Sequence, residues 1–98
     1  MPELETIYRR SDSFVFRRIE GEAILVPIKG NVEDLESIYS LNETAALAWQ
    51  SLDGARDLKA VAGLITEEYD VPREQAESDL LAFVQEMKAI DAVLDRGR

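Results

Sequence analysis

A chain of 98 residues with 46% hydrophobic and 32% charged residues has the composition of an ordinary globular domain, and at this length it buries roughly 60–70% of its unfolded surface around one modest core. It has no cysteine and no histidine, which excludes disulfide frameworks, zinc fingers, thiol nucleophiles and an imidazole general base. Its net charge of −9 opposes contact with a phosphate backbone.

The charge is unevenly placed. Residues 1–30 hold five acids and five bases, whereas residues 31–98 hold fifteen acids and six bases and so carry the whole excess. The same boundary separates a β-like from a helical composition, as expected for two parts of one domain over residues 1–98 with its core at about 14–94. The start Met1-Pro2-Glu3-Leu4-Glu5 lacks a basic segment followed by an apolar run, and the longest apolar stretch, Ala23 to Ile28, is too short to cross a bilayer. A cytoplasmic protein without a membrane partner is expected.

In chain order, Phe14–Ile19 and Ala23–Ile28 are short and rich in aromatic and β-branched residues. Glu20-Gly21-Glu22 between them supplies a glycine for a tight turn, which predicts a β-hairpin. Pro27 cannot donate to a ladder and belongs at a strand end. Leu35–Leu41 alternates Leu35, Ser37, Tyr39 and Leu41 against Glu36, Ile38 and Ser40, the pattern of a half-exposed third strand.

Three helices follow. Asn42 caps the first, over about Glu43–Leu52, and Asp53-Gly54 stops it. Asp57 caps the second, whose stripe of Leu58, Val61, Ala62, Ile65 and Tyr69 ends near Tyr69-Asp70. The third starts around Pro72 and carries the stripe Ala76, Leu80, Phe83, Met87 and Ile90. Ala92-Val93-Leu94 reads as a last packed turn or short strand. The fold class expected is α+β and winged helix-turn-helix-like: a three-stranded antiparallel sheet followed by three helices.

Little in the chain carries catalytic chemistry. Glu67, Glu68 and Asp70 lack the loop pattern of a calcium site and read as a solvated helix end. The serines have no base with a recognisable motif, and the five glycines are too scattered for a phosphate loop. No catalytic residue, metal ligand or cofactor site is therefore assigned. The pairs Arg9-Arg10 and Arg17-Arg18 read as exposed strand surface rather than a patch for RNA or an acidic partner. A winged helix would read DNA with its third helix, but that helix carries Glu74, Glu77, Asp79 and Glu86 against Arg73 and Lys88. Tyr39 differs from the core aromatics Trp49 and Tyr69: it lies in a strand with polar neighbours that can end a sheet, where main-chain groups are free to pair with another chain.

The ordered series Leu41-Asn42-Glu43-Thr44-Ala45, Trp49, Asp53-Gly54, Tyr69-Asp70-Val71 and Asp79 to Phe83 resembles the PqqD-like family, recognition elements for precursor peptides, over about Phe14 to Val93. The resemblance implies a non-catalytic peptide chaperone. Its ligand, the leader segment of a ribosomally made precursor, adds as a strand beside the third strand, against the third helix, and is presented to a modifying enzyme, with a radical S-adenosylmethionine protein as first candidate. Carried onto this chain, the peptide-binding residues are Glu36, Ser37, Ile38, Tyr39 and Ser40 on the strand, and Ala76, Asp79, Leu80, Phe83 and Met87 on the helix. Members of the family often carry a glycine ahead of the terminal apolar pair, where this chain has Asp91-Ala92-Val93, so a longer or differently capped helix end is expected. The rival readings are a winged-helix DNA-binding regulator and an unrelated protein-interaction adaptor.

Overall fold

The computed structural model describes residues 2–28 and 38–95. Strands β2 (Phe14–Ile19) and β3 (Glu22–Pro27) form the expected hairpin, in register from Phe14 opposite Pro27 to Ile19 opposite Glu22. Two residues join them. Glu20 and Gly21 both take positive φ, 52° and 85°, the mirror-image turn whose twist matches paired strands. Pro27 closes β3, where a missing donor costs least. Strand β4 (Tyr39–Leu41) pairs with β3 through Ala23–Leu41, Ile24–Ser40 and Leu25–Tyr39, so the order is β2-β3-β4 and β4 is an edge. The first part of the strand expected over 35–41 lies outside the described residues, as does the loop at 30–34.

The helices start where their caps require. Asn42 accepts the Ala45 N–H at 2.8 Å ahead of α1 (Glu43–Ser51), and Asp57 accepts the Ala60 N–H at 3.0 Å ahead of α2 (Leu58–Glu68). Pro72 precedes α3 (Arg73–Ala89), a position where a missing N–H is harmless. The inner sheet face and the three helices bury one core, in which Leu25, Leu52, Leu58, Val61, Leu80 and Val84 are essentially without solvent contact.

The single sheet expected is an incomplete account, for the structure has a second: β5 (Asp53–Asp57), β1 (Ile7–Arg10) and β6 (Val93–Asp95), in the antiparallel order β5-β1-β6. Asp53-Gly54-Ala55-Arg56-Asp57 has almost no intrinsic strand preference. Pairing with β1 overrides that, helped by a bulge in which four residue steps on β5 match two on β1. Gly54 supplies the φ of 82° that the bulge needs. Asp53 accepts the Ala55 and Arg56 N–H groups at 3.0 and 3.1 Å and the Arg56 guanidinium at 3.0 Å, which together hold its carboxyl below the ordinary carboxylate range. Tyr8 of β1 is buried, with the Lys88 ammonium 5.4 Å from its ring centre.

The end of α3 settles what replaces the glycine. Asp91 takes φ 61°, its N–H donates to the Lys88 carbonyl at 3.1 Å, and the Ala92 N–H donates to the Met87 carbonyl at 2.8 Å. This is the Schellman arrangement that glycine ordinarily closes, built here on an aspartate. The left-handed backbone and a negative charge at the helix C-terminus both count against Asp91. Asp91→Gly is therefore expected to raise stability by roughly 0.5–1 kcal/mol, or about 2–8 °C in Tm, in thermal unfolding.

Candidate functional site

A cleft of about 510 Å³ opens between the edge strand β4 and helix α3. Register places Tyr39 and Leu41 on the same sheet face as Leu25 and Ala23, toward the helices, and Ser40 on the other. The Phe14 ring lies 6.4 Å from Tyr39, tilted by 53°, and steadies that side chain at the mouth of the cleft. Ser40 donates from Oγ to Glu22 Oε2 at 2.9 Å, which ties the outer face of β4 to β3. Among the described residues no strand pairs with the far edge of β4. An edge of this kind presents outward N–H and C=O groups with which a further chain can pair.

The floor is apolar. Ala76, Leu80, Phe83 and Met87 of α3 line the cleft while also being buried in the core, so one stripe serves both. Asp79 stands at the margin and accepts from the Gln75 amide at 2.8 Å. Of the residues expected from sequence, Ile38, Tyr39 and Ser40 line the cleft from the strand side. Glu36 and Ser37 lie outside the described residues. Sequence reasoning did not assign the rest of the lining: Leu41 of β4, Asn42, Thr44, Ala45 and Ala48 of the α1 region, Ile65 and Val71 around the end of α2, and Ala82 and Glu86 of α3.

Tyr69 is half-buried rather than core: its hydroxyl donates to Glu43 Oε1 at 3.5 Å. The arginine pairs are exposed strand residues with local contacts. Arg10 donates to the Gln50 carbonyl at 2.8 Å, and Arg18 reaches Glu43 at 3.4 Å with its guanidinium 5.8 Å from the Phe16 ring. Glu67, Glu68 and Asp70 are exposed, and no group of three or more carboxylates among the described residues is placed to hold a metal ion.

An open strand edge beside an apolar cleft is a geometry for holding an extended peptide. Residues 22–93 match the family model described as coenzyme PQQ synthesis protein D (PqqD). The chain belongs to the PqqD family. A relative in Rhizobium meliloti (strain 1021), a PqqA binding protein, is 33% identical over 63 residues, 62% of this chain. The match spans 64% of that relative, less than two thirds of its length. Among solved structures, lasso peptide synthetase B1 complexed with the leader peptide superposes with a TM-score of 0.70 at 28% identity, covering 89% of this PqqD-family chain and 96% of the other. TbiB1 in complex with the TbiA(beta) leader peptide shares the fold at a TM-score of 0.68 and 21% identity, over 87% and 93% of the two chains. Winged helix-turn-helix is an analogy for this architecture; the α+β class is what this chain shares with those structures.

Proposed function

We propose that this protein binds the leader segment of a ribosomally made precursor peptide as an added strand on β4 and presents it to a modifying enzyme. The observation that carries the reading is the free edge of β4 over the apolar cleft. Main-chain pairing supplies affinity and the cleft supplies side-chain selection. Support comes from the PqqA binding relative and from the leader-peptide complex of lasso peptide synthetase B1. In this reading the protein is not itself catalytic and holds no cofactor. The enzyme it serves does the chemistry, with a radical S-adenosylmethionine protein as first candidate, and both work in the cytoplasm. No helix among the described residues is long and apolar enough to cross a membrane.

The rival reading, DNA recognition by α3, meets an electrostatic obstacle. Arg73 of α3 is held by Glu77 at 2.7 Å, and Glu74, Asp79 and Glu86 are exposed along the same helix. The test is a titration of the labelled protein with a synthetic leader from a neighbouring short reading frame, beside a duplex DNA titration. Saturable changes in the amide signals of Ile38–Leu41 and the cleft side of α3, without a DNA shift at physiological salt, are expected. Changes confined to Phe14–Ile19, or sequence-dependent DNA binding, overturn the reading.

A further inference from the structure

The walls of the cleft differ in polarity. Among the described residues, its charged lining consists of Asp79 and Glu86, both acids, with no lysine or arginine. The two bases of α3 are spent on other contacts. Arg73 donates to Glu77 at 2.7 Å and to the Lys59 carbonyl at 3.0 Å, while Lys88 sits over the Tyr8 ring. Among the described residues no basic side chain pairs with Asp79 or Glu86, and Asp79 accepts from the uncharged amide of Gln75. Any peptide laid on β4 therefore meets an apolar floor bordered by two carboxylates that have no basic partner among the described residues.

Resting on the reading of the cleft as a leader site, we infer that it selects segments in which a lysine or arginine accompanies the apolar anchors. Asp79 and Glu86 are seven residues apart on one helix, about 10.5 Å along its axis. Side chains on one face of an added strand recur at about 6.8 Å, so positions two or four apart bracket that spacing. The long stems of lysine and arginine cover the difference and lie on apolar surface while the charged end reaches the rim. The floor takes the anchors of the same strand face, and Ala45, Ala48 and Ala76 leave room there for large ones. An acidic segment at the same place meets like charge twice. Specificity then comes from repulsion of wrong peptides as much as from attraction of right ones.

The test pans a display library of random twelve-residue peptides against the intact chain and, in parallel, against a Asp79→Asn, Glu86→Gln double variant. Both side chains are exposed, so melting curves should match. The wild-type pool is expected to be enriched in lysine or arginine beside apolar residues. A synthetic representative should bind about fivefold more weakly once its base is replaced by glutamate, the modest effect expected of exposed ion pairs. That difference should shrink above 0.5 M salt and vanish on the double variant. Peptides that perturb the amides of Ile38–Leu41 yet show no basic enrichment and bind both proteins alike overturn this inference and leave the leader site standing. Selected peptides that leave those amides untouched overturn the leader site itself.

Discussion

Of two proline substitutions in the edge strand, Tyr39→Pro and Ser40→Pro, one is expected to lose leader binding by at least tenfold while keeping the wild-type melting temperature. Along an antiparallel strand successive N–H groups point alternately to the neighbour and away. Among the described residues β4 has a neighbour on one side, β3, with Ser40 opposite Ile24 and Tyr39 opposite Leu25. One of the two positions therefore spends its N–H on β3 and the other presents it to the open edge. Proline at the inner position removes a ladder bond and lowers stability by about 1–3 kcal/mol. Proline at the outer one costs the sheet little but removes a donor the incoming peptide needs. Tyr39→Ala separates the ring's share of binding from the backbone's. The strand-addition model fails if the proline variant that melts like wild type also binds like wild type.

How far the sequence could lead is seen in particular residues. The hairpin was legible because Phe14–Ile19 and Glu22–Pro27 are β-formers around a glycine turn, and the helix starts because Asn42 and Asp57 are strong caps. Those signals are local. β5 and its pairing with β1 were not legible, since Asp53-Gly54-Ala55-Arg56-Asp57 becomes a strand only by pairing with β1 across the fold. Asp91 concealed a glycine's role behind another side chain. For the site, the stripe on α3 was plain from periodicity, but periodicity cannot say which part of a stripe meets the core and which a cleft. Ala45, Ala48, Ile65 and Val71 carry no polar group that would mark a site, and only the placement of α1 and α2 against β4 makes them cleft walls. Their one sequence signal was the small size of the alanines facing an edge strand, which is too common to assign a site.

The burial of that stripe also decides which substitutions can probe it. Ala76 and Met87, at the ends of the stripe, are 2% and 5% exposed, so a charge placed there perturbs the core along with the cleft. Phe83→Ala illustrates the difficulty: the ring is 9% exposed and belongs to the core, so its removal is expected to cost about 3–5 kcal/mol, a large share of the roughly 5–15 kcal/mol that holds a domain folded. Any loss of leader affinity in that variant would be confounded with unfolding. Its neighbour Ala82 is exposed and lines the same cleft. Ala82→Phe places a ring in the space the leader's anchors would occupy, while a surface change of this kind shifts stability by no more than about 0.5 kcal/mol. Leader affinity is expected to fall more than tenfold, about 1.4 kcal/mol, with Tm nearly unchanged, in paired calorimetric titration and melting experiments. An Ala82→Phe protein that binds its leader as tightly as wild type would move the anchors out of the cleft, and leave the edge of β4 to account for recognition alone.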